Sequence, residues 1–160
     1  MSEGDFVCLE GVVTATVPLE GPVSGEAVAA YEVAHYRITN RRNKDPLVHL
    51  ERSTALGLAI RDQQGSALLV LDEGALRATR RVRGTANTLK DRWSAVVFAP
   101  EVVELAEHSI ALGANVVVLG HAARVNGVWA LRGRDAFLTD VTFECCPFVT
   151  ASNGPGRLAR

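Results

Sequence analysis

The 160-residue sequence has few cysteines, few aromatic residues and almost no net charge. Its three cysteines, Cys8, Cys145 and Cys146, are too few for a disulfide framework. The chain has no C-x-x-C pair, which excludes a zinc ribbon or a RING domain. A formal net charge of −1 gives no overall field that would attract nucleic acid or an anionic membrane. The expected class is a globular domain large enough to fold without cross-links.

The sequence also lacks long apolar runs and a leader. No run reaches the roughly 20 apolar residues that a membrane-spanning helix needs. The N-terminus "MSEGDFVCLEG" has neither the basic nor the apolar region of a signal peptide. We therefore expect a cytoplasmic protein without a membrane span. The length predicts one domain over residues 1–147, followed by a loose tail over 148–160, where Gly and Pro disrupt both periodicities.

Two stretches near the N-terminus are rich in β-branched residues, and a segment rich in Pro and Gly separates them. Residues 6–17 predict a strand that bends at Gly11, and residues 27–39 predict a second strand. The separating segment, "PLEGPVSGE" at 18–26, predicts a tight turn. In the second strand, alternation places the following side chains on one face: Tyr31, Val33, His35, Arg37 and Thr39.

Two hairpins are predicted further along the chain. Residues 57–71 form the first, with a turn closed by Gly65. The second surrounds Asn126-Gly127, the strongest short-range hairpin pattern. Between them, residues 73–92 predict an irregular basic segment.

Residues 100–110, "PEVVELAEHSI", predict the one helix of the chain. Pro100 stands near the start, and Glu101 and Glu104 fall in the first turn. Val102, Leu105, Ala106 and Ser109 would share a face. Strands that do not alternate with helices make a parallel βαβ sheet unlikely. The predicted fold class is mainly β (β-rich α+β), a small antiparallel barrel of the oligonucleotide-binding (OB) type or a curled sheet, with one helix near 100–110.

Groups with catalytic chemistry are scattered along the chain. Ser24 lies one position too late for the G-x-S-x-G nucleophile elbow, so we interpret it as a turn serine. Asp62 and Asp72 flank the first hairpin, where aspartate is a common turn former. No two histidines have the i, i+4 spacing of a helical metal site. We therefore expect no enzyme, no metal and no cofactor. A third hypothesis, a small enzyme or ligand-binding barrel, would place its pocket near His35, Tyr31 or His121.

Two arginine-rich segments, within 37–44 and 77–92, form the candidate binding surface. If they lie on one side of the fold, they make a basic groove suited to phosphates or to an acidic protein. Few aromatic residues accompany them, whereas proteins that bind single strands usually stack bases on aromatic side chains. The candidate binding residues are Arg37, Arg41, Arg42, Arg77, Arg80, Arg81, Arg83 and Tyr31.

Three segments, in order over residues 10–140, resemble the GIDE domain, also called the BAM ("beside a membrane") domain. They are "PLEGPVSGEAVAAYEVAHYR", "LAIRDQQGSALLVLDEGA" and "EHSIALGANVVVLGHAARVNG". The chain departs from the family pattern where Ala27 to Ala30 precede Tyr31, and where Ala59 or Ile60 replaces the aromatic residue before the Asp of the hairpin. Unlike eukaryotic relatives, it has neither membrane spans nor RING ligands.

The resemblance implies the partner-binding part of such a protein and no ligase active site. The leading hypothesis is therefore a non-catalytic module that binds a protein or peptide. The alternative is an OB-like nucleic-acid-binding protein that uses the arginine-rich loops 37–44 and 77–92. A homo-oligomer that pairs exposed sheet edges is compatible with either hypothesis.

Overall fold

The computed structural model describes residues 2–36, 47–71, 75–85 and 104–141, and within these ranges the chain forms strands and turns without a helix. The strands are β1 (Phe6–Thr14), β2 (Leu19–Glu20), β3 (Ala27–Tyr36), β4 (Leu47–Thr54), β5 (Ala59–Arg61), β6 (Ser66–Val70), β7 (Ala75–Arg77), β8 (Arg80–Thr85), β9 (Glu104–Ala111), β10 (Asn115–Val125) and β11 (Val128–Thr139).

Five of these strands close into a barrel. The ring runs β1, β5, β6, β11, β10 and back to β1. Four of its pairings are antiparallel, and β6 pairs with β11 in parallel. The short β7 adds a second parallel pairing at the end of β11. The expectation of a mainly β protein with a small barrel is confirmed.

The barrel curls where β1 changes partners. Residues 6–12 of β1 pair with β10, and residues 12–14 pair with β5. Gly11 lies at this change, and a Cβ there would stand 2.5 Å from the carbonyl oxygen of Arg61. The strands can approach this closely only because residue 11 has no side chain.

Both predicted hairpins are present. In the β5–β6 turn, the Asp62 carboxylate accepts hydrogen bonds from the amides of Gln64 and Gly65, at 2.7 and 2.8 Å. In the β10–β11 turn, Asn126 and Gly127 have φ values of 50° and 79°. These left-handed values suit the two-residue turn that Asn-Gly favours.

The remaining strands form a second sheet in the order β2-β3-β9-β8, with β4 also paired to β3. The pairings are antiparallel throughout. In this sheet, β3 contacts β9 along one edge and β2 and β4 along the other. Tyr31, Val33 and His35 of the predicted face occupy alternate positions of β3, whereas Arg37 and Thr39 lie outside the described residues.

Two predictions are wrong. The segment predicted as a helix at 100–110 contains β9 from Glu104 onward, because β9 pairs with β3 on one edge and β8 on the other. Residues 105–107 are all buried, so no helical stripe distinguishes one face. The segment 73–92, expected to be irregular, contains β7 and β8.

One apolar core joins the two sheets. Ala29, Ala30 and Ile110 from the second sheet belong to the same buried cluster as Val13 and Leu131 from the barrel. A smaller cluster in the second sheet contains Val23, Val33 and Leu105. The second sheet is thus fixed to the barrel through side chains at one end of β3 and β9.

Several predictions fall outside the described residues: the polar loop at 40–46, the C-terminal tail at 148–160, Asp72, Cys145 and Cys146. None of the described residues belongs to a helix that is long and apolar enough to cross a bilayer.

Candidate functional site

The turn over residues 21–26 lies on the second sheet and has a tightly bonded backbone. The amide of Gly21 donates to the carbonyl of Glu26, and the amide of Gly25 donates to the carbonyl of Gly21, both at 2.7 Å. Gly25 has φ of 69°, a left-handed value that favours glycine. Pro22 and Val23 are buried, so the turn packs inward.

A buried carboxylate holds this turn. Glu107, in the middle of β9, is fully buried. It accepts hydrogen bonds from the amides of Val23 and Ser24 at 2.7 and 3.0 Å, and from the Ser24 hydroxyl at 2.8 Å. We call this arrangement, the turn 21–26 with the Glu107 carboxylate, the Glu107 anchor. Bonds from oriented donors replace the water that a buried charge loses.

The roles of Gly21 and Ser24 follow from the anchor. A Cβ on Gly21 would lie 2.6 Å from Oε1 of Glu107 and would also collide with the Ser24 hydroxyl. Ser24 Oγ accepts a hydrogen bond from the amide of Glu26 at 3.3 Å. The interpretation of Ser24 as a turn serine is confirmed. Its partner Glu107 was not predicted, and the available indication was a glutamate between the apolar residues Ala106 and Ile110.

Polar side chains surround the anchor on the same face of the sheet. Tyr31 donates from its hydroxyl to Oε1 of Glu51 at 3.3 Å. Burial, followed by the negative charge of Glu51, raises the pKa of Tyr31. Ser109 Oγ is buried and has no hydrogen-bond partner among the described residues. The predicted binding residue Tyr31 thus packs against the turn as part of the wall around Val23.

His35 and His49 form a pair beside this cluster. They face each other across β3 and β4, with ring centroids 5.3 Å apart in an edge-to-face arrangement. Burial, and then the proximity of His49, lowers the pKa of His35. His121 belongs to the barrel and contacts Phe6 instead. The structure therefore places two of the three residues of the hypothetical pocket, Tyr31 and His35, on one sheet and His121 on the other.

The predicted arginines that the structure describes lie on β7 and β8. Arg80 forms an ion pair with Glu26, which lowers the pKa of Glu26, and Arg83 forms one with Glu104 at 3.1 Å. Arg81 is exposed and stands opposite His108 of β9. Arg77 is exposed on β7, which pairs with the barrel.

Arg37, Arg41 and Arg42 lie outside the described residues, so the convergence of the two arginine-rich segments stays a prediction.

A groove opens at one end of the barrel, and the sequence analysis did not predict it. Its volume is about 240 Å³, and its walls come from β1, from the β5–β6 hairpin and from Trp129 of β11. Arg124 lies over the Trp129 ring, 4.1 Å from the centroid, and donates to the carbonyl of Gly127 at 2.6 Å. The groove is separate from the Glu107 anchor, because none of its lining residues belongs to the second sheet.

The described residues contain no group of three or more His, Cys, Asp or Glu that could hold a metal ion. No protein-family model, curated protein or solved structure matches the chain.

Proposed function

We propose that this chain is a non-catalytic interaction module, and that it binds an acidic, extended segment of a partner protein along β8. The observation that carries the proposal is the position of β8 at the end of the second sheet. Among the described residues, β9 is the strand that pairs with β8, and no described strand lies along the other edge of residues 80–84. An extended peptide can add to such an edge as a further strand.

The charge of this edge favours an acidic partner. Residues 75–85 contain four arginines and no acidic residue. Glu26 and Glu104 neutralise two of them, Arg80 and Arg83. Arg77 and Arg81 are exposed, and neither takes part in the ion pairs of the described residues. Carboxylates on an added strand would pair with Arg81 across the sheet, whereas Arg77 belongs to β7 and lies on the barrel sheet.

The Glu107 anchor supports a binding role for the second sheet. It connects the turn before β3 to the middle of β9, and β9 carries β8. A rigid sheet reduces the entropy cost of adding a strand, because the edge is already formed. The anchor also connects the first and third of the segments that resemble the GIDE domain.

The OB-like alternative would use the same arginines for phosphates. Neutralisation of Arg80 and Arg83 reduces the charge available for that role. Paired residues form a row across the sheet from Arg81 through His108 to Glu32. Glu32 forms an ion pair with Arg52 at 2.6 Å. This interleaving of acidic and basic side chains favours a peptide over a polyphosphate backbone.

Titration of the full chain with three fluorescent probes tests the proposal. The probes are a peptide with glutamate at alternate positions, the same peptide with lysine at those positions, and a single-stranded oligonucleotide. We expect the glutamate peptide to bind tightest. Arg81→Glu should weaken its binding at least about fivefold, because one attractive contact becomes repulsive. Arg61→Glu is the matched control, since Arg61 is equally exposed but lies on β5 of the barrel.

Two outcomes would contradict the proposal. Equal losses in Arg81→Glu and Arg61→Glu would indicate unspecific attraction. Tightest binding of the oligonucleotide, with an affinity that falls steeply as salt increases, would favour the nucleic-acid alternative.

A further inference from the structure

The groove at the end of the barrel combines an apolar wall with an acidic rim. Leu9, Ile60, Ala67 and Trp129 supply the apolar part. Ile60 and Ala67 are 3% and 5% exposed, so they also belong to the barrel core and hold the wall in place. The mouths of β-barrels are common positions for ligand sites.

The acidic rim consists of Glu10 and Asp62. Both are exposed and line the groove, and neither takes part in an ion pair among the described residues. One oxygen of Asp62 is occupied by the amides of Gln64 and Gly65. Its second oxygen and both oxygens of Glu10 remain able to accept bonds from a ligand.

Trp129 gives the groove an aromatic wall in a fixed orientation. The guanidinium of Arg124 covers the ring and is itself bonded to the carbonyl of Gly127. The ring is therefore held in place before a ligand arrives. A tryptophan next to carboxylates is a favourable environment for an organic cation.

The size of the groove limits its occupant. Sites for complete small molecules or cofactors have volumes of roughly 300–1,000 Å³. At about 240 Å³ the groove is smaller and suits a single long side chain. Lysine fits this description, because its four-carbon stem can lie on an apolar wall while its ammonium group reaches a polar rim.

Two arginines lie near the rim, and their positive charges oppose the negative charge of its carboxylates. Arg61 is exposed and pairs with Val12, two residues from Glu10 on the same strand. Arg124 is bonded over the indole. Neither lines the groove, whereas Glu10 and Asp62 do. The side chains that line the groove therefore carry a net negative charge, although charges of both signs lie around it.

We propose that this groove binds the lysine side chain of a partner polypeptide. The stem lies against Leu9, Ile60 and Trp129, and the ammonium group donates to the carboxylates of Glu10 and Asp62. This site does not depend on the proposed function of β8. It lies on the barrel and selects a cation, whereas the β8 edge selects acidic side chains.

The test uses the full chain and three short capped peptides, Ser-X-Ser, in which X is lysine, norleucine or glutamate. The indole N–H resonance of Trp129, assigned with the Trp129→Phe variant, reports binding. We expect the lysine peptide to shift it and to bind at least about fivefold more tightly than the norleucine peptide, which keeps the stem but lacks the charge. The glutamate peptide should bind weakest.

Three variants separate the contributions of the groove. Glu10→Gln combined with Asp62→Asn removes the rim charge, while asparagine preserves the turn bonds of Asp62. This double variant should bind the lysine and norleucine peptides equally. Trp129→Leu, in which the backbone amide resonance of Ala67 in the groove wall reports binding in place of the indole, should weaken the binding of both peptides. Glu20→Gln, an exposed change on β2, should alter neither.

The proposal is overturned if the lysine peptide leaves the Trp129 resonance unchanged. It is equally overturned if norleucine binds as tightly as lysine to the unmodified chain, or if the double variant keeps its preference for lysine. The longer peptide with glutamate at alternate positions, which tests the β8 edge, should still bind the double variant, so failure at one site is distinguishable from failure at the other.

Discussion

At the scale of single residues, Glu107 combines complete burial with three hydrogen bonds to one turn. A carboxylate in such a position is costly to bury and costly to remove, because its donors would lose their partner as well. The same three bonds fix the positions of Val23 and Ser24 on the second sheet. Glu107 is therefore a structural residue whose loss should affect the sheet that carries β8.

We expect a graded loss of stability when the Glu107 anchor is dismantled. Ser24→Ala removes the two hydrogen bonds of the hydroxyl, to Glu107 and from the amide of Glu26, and should lower the free energy of unfolding by about 1–2 kcal/mol. Glu107→Ala leaves two amides and a hydroxyl without an acceptor and should cost about 3 kcal/mol or more. Glu107→Gln should fall between them. Urea denaturation measures the order, with Glu20→Gln as an exposed control. A Glu107→Ala protein as stable as the control would contradict the role of the anchor.

His35 should make the stability of the protein depend on pH. Its pKa in the folded state is lowered, mainly because burial disfavours the charged ring. Below the unfolded-state value of about 6.5, the unfolded chain binds a proton that the folded chain resists. The contribution of His35 is therefore complete above pH 6.5 and decreases as the pH falls through the folded-state pKa.

Urea denaturation between about pH 5 and pH 7.5 measures this dependence. His35→Leu should reduce the decline in stability at acidic pH, because the titrating group is gone. His121→Gln, a change at an exposed histidine, should retain the decline. An unchanged pH dependence in His35→Leu would refute the assignment.

At the scale of elements, the close approach of β1 and β5 requires glycine at position 11. Gly11→Ala would bring Cβ within 2.5 Å of a backbone oxygen that cannot rotate away. We expect a loss of about 1–3 kcal/mol in the free energy of unfolding. Gly65→Ala is the matched control, because a Cβ there meets nothing within 4 Å. Thermal denaturation measures the melting temperature of both variants. Equal values would show that β1 and β5 can move apart to accommodate the methyl group with no loss of stability.

The most instructive element is β9, which the sequence predicts as a helix. Pro100, the early glutamates and the spacing of Leu105 to Ser109 are local features that favour a helix. In the structure, β9 has a strand on each edge and burial on both faces. The long-range pairings therefore override the local preference, and a short window of sequence cannot reveal them.

At the scale of the whole molecule, a shared core should make the barrel and the second sheet unfold together. Ile110 of β9 is fully buried in the same cluster as Val13 and Leu131 of the barrel. Ile110→Ala should lower the free energy of unfolding by about 2–5 kcal/mol. Tryptophan fluorescence, which includes Trp129 of the barrel, and far-UV circular dichroism should report the same urea midpoint in this variant. Two separate midpoints would show that the sheets unfold independently.

Local chemistry made part of the fold predictable. Asn126 and Gly127 predict their turn because few other residues adopt left-handed backbone angles. Asp62 predicts the other turn because its short carboxylate can accept hydrogen bonds from nearby backbone amides. The bend at Gly11 was predictable for a different reason, because glycine inside a strand commonly marks a bend or the close approach of another backbone. The groove beside Trp129 was not, because its walls come from strands that are far apart in the sequence.

The mainly β class, the two hairpins and the turn at 21–26 could all be predicted from the amino-acid order. These features depend on backbone preferences and on alternation within a few residues. Three features became visible only in the folded chain: β9 is a strand, Glu107 holds the turn, and acidic and aromatic side chains line one groove. Each of these results depends on contacts between distant segments, such as the 83 residues that separate Ser24 from Glu107. Such contacts form only when burial of the common core brings the strands together.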